Sequence, residues 1–271
     1  QIISPVTGFV ENAQNTLPGD SDRYTLFLTA FIYNIMFAII CNIRSISLLI
    51  TEIRTSSAAE EFGLPDASNS MYSEAFSRHS PDIFRIIFYE LLASVSFLNI
   101  PEISHLGRIL LADGSLFPAL MTMQWACYKQ NANAIKLHLA FGLNRMIPTE
   151  FIATDGKYSE RKFLRSIVGK GVTYVCDRGY VSFSLFSEIC EKGAHFIIRG
   201  KENMTYTVHE VLCTDVPTLF LKFFITINDY RVIFSSDPRK VIYRIVRFSV
   251  SGENYTLITN RSDLTTYEVI M

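Results

Sequence analysis

Residues 172–180 read VTYVCDRGY, Val172 to Tyr180. Val172, Tyr174, Val175 and Cys176 make a short apolar run rich in β-branched residues, as a buried parallel strand requires. The run stops abruptly at Asp177-Arg178-Gly179. In an open α/β sheet, ligands sit beyond the carboxyl ends of the strands, so a carboxylate placed there faces a site. A strand closed by a polar turn is the simpler reading, because Asp and Gly favour turns in any case. A second stretch, RILLADGSLF from Arg108 to Phe117, shifts the balance. It is another apolar run, closed by Asp113-Gly114-Ser115. Two strands that each present an Asp bring two carboxylates together, which is what a divalent metal with hard oxygen ligands needs.

The chain around these stretches has 271 residues, 49% of them hydrophobic and 19% charged. That supports a sizeable core, in one large domain or two modest ones, and argues against long disorder. The net charge of −1 excludes a uniformly basic nucleic-acid coat, so any such binding must use local patches. Five cysteines, with no CxxC pair, read as buried thiols of a reducing compartment, and the expected location is cytoplasmic. The chain begins at Gln1 and stops at Met271 inside an expected helix, and it is read as a fragment.

The region 1–107 reads as helical. Gln1–Asp22, with Pro5, Pro18, Gly8 and Gly19, is a loose lead-in. Tyr24–Cys41 is the most hydrophobic stretch. It is short for a membrane span and holds Asn34 in its middle, so a buried core helix is expected, with no membrane partner. Ser45–Ile53 continues as a helix. Ser56–His79 reads as two short helices around a turn, with Asn69 capping the second. The pair suits either an ordinary helical hairpin or one that lies on DNA. Pro81–Phe97 is a third helix with Ile83, Ile86, Ile87, Leu91 and Leu92 on one stripe.

From Arg108 the pattern changes. Ala134–Leu143 alternates, which puts Lys136 and His138 on one face of a strand. Ile147–Thr154 is a third strand, so a meander is expected. In the helix Ser159–Val168, Lys157, Arg161 and Arg165 fall four apart and line one face, either a solvated surface or a phosphate-contacting stripe. The Asp177 strand follows. Next comes a helix that Ser182 caps and Gly193 ends, and then the strand His195–Ile198 closing in Arg199. Residues 205–259 read as a β-rich insertion. Its expected hairpins turn at Asn228-Asp229 and at Ser251–Asn254. Leu264–Met271 starts a helix. Three strands, a helix, a strand, a helix and a strand is the order of a ribonuclease-H-like α/β core, residues 108–204. In that order the first and fourth strands lie parallel, and Asp113 stands beside Asp177. Two close carboxylates repel as anions and favour a cation between them.

Five segments carry a further resemblance: LLADGSLFPAL, AIKLHLAFGLNRMIPTEF, SERKFLRSIVGKGVTYVCDRGYVSFSLF, HFIIRGKEN and YTLITNRSDLTTYEVIM. With these the chain resembles the DDE transposases of bacterial insertion sequences, in the large family conventionally numbered four. The resemblance implies DNA transposition. Asp113 and Asp177 would be catalytic metal ligands for two Mg²⁺ or Mn²⁺ ions. Water would nick the element end, and the freed 3′-hydroxyl would attack target DNA. The implied partner is double-stranded DNA, both element ends and target, with a homo-oligomer on it. Lys136, His138, Arg161, Arg165, Arg178, Tyr180 and Arg199 are the DNA-contact candidates. The family's third carboxylate is a Glu in a Tyr-x-x-Arg-x-x-x-Glu signature, which this sequence lacks. Glu268 does not fit that spacing and is not given the role. The expected consequence is a chain truncated before the catalytic Glu, with weak metal binding and little strand transfer. A non-catalytic DNA-binding remnant or inhibitor is the rival reading.

Overall fold

The computed structural model describes Gly8 and residues 26–94, 100–130, 132–214 and 224–270. Apart from Gly8, the expected lead-in lies outside these residues. So do the end of the third helix toward Phe97, the beginning of the strand expected from Leu219, and Met271. The chain divides into two compact units, 1–96 and 97–271.

In the first unit, α1 (Leu28–Ile40), α2 (Ile46–Thr55), α3 (Ser57–Glu61), α4 (Asn69–Arg78) and α5 (Asp82–Ser94) follow in order. Their shared core includes Phe31, Ile32, Phe37, Leu49, Tyr72, Ala75, Ile83 and Ile87. The hydrophobic stretch at Tyr24–Cys41 contributes a helix of 13 residues, and no described helix is long and apolar enough to cross a membrane. Asn34 explains why that helix belongs inside a protein. It is fully buried and donates to Tyr72 Oη at 2.7 Å and to the Pro65 carbonyl at 3.0 Å, tying α1 to α4. A buried amide is tolerated when it finds such partners. Ser45 caps α2 by accepting from Leu48 N at 3.2 Å. The cap of α4 is Ser68, one residue before the expected Asn69, because its hydroxyl accepts from Met71 N.

Among the described residues, the second unit is one mixed sheet of ten strands with three α-helices. Its strands are β1 (Arg108–Ala119), β2 (Cys127–Lys129), β3 (Ala132–Gly142), β4 (Ile147–Asp155), β5 (Val172–Cys176), β6 (His195–Arg199), β7 (Tyr206–Cys213), β8 (Thr226–Phe234), β9 (Ile242–Val250) and β10 (Glu253–Thr259). The helices are α6 (Glu160–Ile167), α7 (Phe183–Glu191) and α8 (Thr266–Ile270). The sheet order is β2-β3-β1-β5-β6-β10-β9-β8-β7, and β4 also pairs with β3. The meander β1–β3–β4 is antiparallel, whereas β1, β5 and β6 run parallel. This is the ribonuclease-H-like α/β arrangement expected from the element order.

β5 and β6 are short and apolar because both of their faces are covered. Tyr174 is fully buried, and its hydroxyl donates to the Ile167 carbonyl at 2.7 Å and accepts from Gly169 N at 2.8 Å. Phe163 and Leu164 of α6, and Leu185, Phe186 and Ile189 of α7, join Tyr174 and Phe196 in one core. Gly193 ends α7 at φ +65°, a conformation glycine adopts without a Cβ penalty.

Three expectations are corrected here. Asn228-Asp229 is no turn, because β8 runs straight through it. Asp229 is held in the strand by Arg244 of β9, which donates from Nε and Nη2. The second hairpin turns on two residues, Ser251 and Gly252, both at positive φ. The thiols are not uniformly buried: Cys41, Cys127 and Cys190 are exposed and only Cys176 is buried, all five being free. Cys190 accepts from Asn260 Nδ2 at 3.3 Å, and Cys127 lies 3.4 Å from Lys157 Nζ. The strands after Thr205 extend the same sheet, since β10 pairs antiparallel with β6.

Candidate active site at the β1 and β5 strand ends

The register of β1 against β5 ends with Ala112 opposite Cys176. The next residue on each strand is an aspartate, so Asp113 and Asp177 stand side by side at the carboxyl end of the parallel pair. Both are exposed, Asp177 with 56% of its side chain accessible. The nearest cation to Asp177 is Arg199, at the end of β6, with its Nη1 3.9 Å away. That distance is long for a charge-assisted hydrogen bond. The site offers two hard oxygen donors in water, which suits a hard divalent cation. Among the described residues no group of three His, Cys, Asp or Glu side chains is placed to hold a metal.

Lys136 and His138 do share a face of β3, as their period-two spacing requires. Both point at Gly114, the residue after Asp113. A methyl group on the Gly114 α-carbon would stand 3.0 Å from Lys136 Cε and 3.3 Å from His138 Nδ1. Neither residue is open to a phosphate. Lys136 is 12% exposed and its Nζ is bound by Glu160 Oε1 at 2.7 Å. His138 is 0% exposed, stacked on Phe163, with both ring nitrogens lacking a partner. Burial first, and Lys136 second, lower its pKa and keep the ring neutral. Tyr180 is likewise buried, at 1% exposure, with its hydroxyl unpartnered and its pKa raised by burial.

Of the expected basic stripe, Lys157 lies exposed before α6, while Arg161 and Arg165 turn to their own protein. Arg161 Nε donates to the Gly179 carbonyl at 3.1 Å. Arg165 Nε binds Glu188 Oε2 at 2.7 Å and its Nη2 donates to Ser184. Arg178 and Arg199 stay at the surface. With Lys201, Tyr206, Arg247 and Thr256 they line a cleft of about 600 Å³ beside Asp177. Arg199 also lies 5.1 Å over the Tyr255 ring.

Glu160 escaped the sequence reading. It opens α6, its carboxylate binds Lys136, and its Oε2 lies 2.6 Å from where a Gly179 methyl would sit. The signal available was a glycine shortly after each aspartate, Gly114 and Gly179, where a neighbour crowds the backbone. Glu268, not expected to be catalytic, caps α8 by accepting from Thr265 N at 2.7 Å and pairs with His105 at 2.9 Å. The Thr265 hydrogen bonds lead in lowering its pKa.

Two adjacent carboxylates where a parallel strand pairing ends, in a mixed sheet of this order, make a geometry able to hold a divalent cation. The family model of the transposase DDE domain matches residues 104–265, and the chain belongs to that family. The y4zB protein of Sinorhizobium fredii, which carries a provisional transposase name, is 27% identical over 161 residues. The match covers 57% of this chain and 45% of that protein, so this chain aligns with less than half of its relative's length. An endonuclease V of Bacillus subtilis is 7% identical, covers 68% of this chain and 78% of its own, and superposes with a TM-score of 0.31. At that distance the likeness supports nothing beyond itself.

Proposed function

We propose that the chain is the catalytic core of a DNA transposase of the insertion-sequence family numbered four, with Asp113 and Asp177 as its metal-binding carboxylates. The observation that carries the reading is the β1–β5 register, which sets the two aspartates side by side within residues matched by the family model. Mg²⁺ or Mn²⁺ held there would polarise a phosphodiester and activate water or a 3′-hydroxyl. The chain's own residues do the rest. Asp113 and Asp177 supply oxygen donors. Arg178 and Arg199, with Lys201 and Arg247, draw the DNA backbone to the cleft beside Asp177. Buried His138 and Tyr180 shape the wall behind Asp113. Two carboxylates alone hold a divalent ion weakly, so residues 1–271 are expected to cleave slowly and transfer strands poorly. The helical hairpin Ser56–His79 is a candidate for holding element ends, with the chain acting as an oligomer on DNA.

The test is nicking of supercoiled plasmid by the purified chain with Mn²⁺ or Mg²⁺, beside Asp113→Asn and Asp177→Asn. Metal-dependent nicking that either substitution abolishes, with DNA binding retained, is the expected result. Near-parental nicking by either variant removes the site. The absence of a three-ligand group among the described residues favours one second reading, a DNA-binding remnant without chemistry. Salt-sensitive DNA binding with no nicking under any metal would select it.

A further inference from the structure

We infer that Glu160 is a positioning residue that, together with Lys136, locks the Asp177-bearing turn against the β1–β3 ladder that carries Asp113. The inference rests on the reading of Asp113 and Asp177 as the metal carboxylates.

Glu160 reaches both aspartate-bearing segments at once. Its Cγ would be 3.3 Å from a methyl on Gly114, the residue after Asp113. Its Oε2 would be 2.6 Å from a methyl on Gly179, two residues after Asp177. A Cβ at position 179 would force the Glu160 carboxylate or the turn to shift, so glycine lets the DRGY turn close on Glu160 as it stands. The carboxylate is pinned by Lys136 Nζ at 2.7 Å, from β3, where both partners are largely sheltered. The adjacent Arg161 holds the same turn from its carbonyl side at 3.1 Å. One helix start therefore grips the turn after β5, while its first carboxylate leans on β1 and on β3.

The arrangement argues for positioning rather than ligation. Glu160 already has a cation, and among the described residues it forms no three-ligand group with its neighbours. The β1–β5 pairing ends at Ala112 and Cys176, where β5 itself ends, so no ladder fixes the backbone at Asp177, while Asp113 stays within β1, opposite Leu139 of β3. A bridge beyond the last ladder bond supplies that restraint. Groups that orient metal ligands from behind are worth about 10–100-fold in affinity.

The test is Mn²⁺ titration of the purified chain, followed by electron paramagnetic resonance, with thermal unfolding in parallel. The double variant Glu160→Gln/Lys136→Met removes both charges and leaves the net charge unchanged, so a loss of affinity is not a field effect. We expect about tenfold weaker Mn²⁺ binding with the fold retained. Gly179→Ala, which pushes the turn off Glu160, should weaken binding in the same direction. Lys136→Met alone should also weaken binding. A Glu160 that ligates directly would instead bind more tightly once freed from Lys136, and that result overturns the assignment. Affinity within twofold of the parent in the double variant overturns it too. Asp113→Asn and Asp177→Asn separate the two failures. If these also bind Mn²⁺ like the parent, or the parent binds none, the metal site itself is wrong and the inference falls with it. If they lose binding while the double variant keeps it, only the role of Glu160 fails.

Discussion

Asp229 and the pair Asp113/Asp177 lie in one sheet and receive opposite treatment. Asp229 is 0% exposed in the middle of β8 and fully provided for. Arg244 donates Nε to its Oδ1 at 3.0 Å and Nη2 to its Oδ2 at 2.6 Å, and Thr266 adds a bond at 2.8 Å. The same guanidinium donates Nη1 to the Arg261 and Leu264 carbonyls, so the segment before α8 is tied to β8 and β9. Asp113 and Asp177 stand in water, beside each other where the β1–β5 pairing ends, with a single guanidinium 3.9 Å from one of them. A buried carboxylate whose two oxygens both take hydrogen bonds is part of the architecture. Adjacent carboxylates left to solvent keep their oxygens open to a ligand.

Asp229→Ala should break the comparison most visibly. It leaves Arg244 buried and uncompensated, a situation that costs about 3–5 kcal/mol. Urea unfolding followed by circular dichroism measures it. A loss below about 1 kcal/mol would mean the buried pair is not what anchors α8, and the contrast with the strand-end aspartates would collapse.

A smaller effect sharpens the same division through pH. His195, at the start of β6, has its pKa lowered first by burial and then by Arg261, with Asp263 acting the other way. His138 is shifted down in the same direction. The unfolded chain therefore takes up protons before the folded one does. Stability should be complete above the ordinary histidine value of about 6.5 and should decline as pH falls through it. Thermal unfolding between pH 8 and 5 should show that slope, and His195→Asn should flatten it. An unchanged slope would show that His195 is protonated without cost in the folded protein.

The sequence carried the parallel pair because two apolar runs each led into an Asp, and strand periodicity placed Lys136 beside His138; the first run does not close at Asp113-Gly114-Ser115 as expected, because β1 continues on its pairing with β3 to Ala119. It could not show where side chains spend their charge. The four-residue spacing of Arg161 and Arg165 is the same for a DNA-facing stripe and for the actual partners, Gly179 and Glu188, which lie 18 and 23 positions away. Asn228-Asp229 reads locally as a turn, and the ladders to β7 and β9, with Arg244 15 positions on, keep it in a strand. Glu160 looked like an ordinary first-turn acid, since its meaning depends on two glycines from other elements. The three-residue β2 is too short to leave a periodic signal.

The smallest expected effect tests the strand-end aspartates as architecture. Asp113→Asn and Asp177→Asn should each leave unfolding stability within about 0.5 kcal/mol of the parent, because exposed positions without strong partners tolerate isosteric change. Any change should lie on the stabilising side, since each substitution removes one of two neighbouring negative charges. The sign is worth measuring at low ionic strength, where that repulsion is least screened, and again at 1 M salt, where a Debye length of about 3 Å should erase it. A stability loss near that of Asp229→Ala would show Asp113 or Asp177 to be structural. It would also make any loss of nicking in those variants a consequence of unfolding. Near-neutral stability combined with lost nicking leaves cation binding as what the two exposed carboxylates are for.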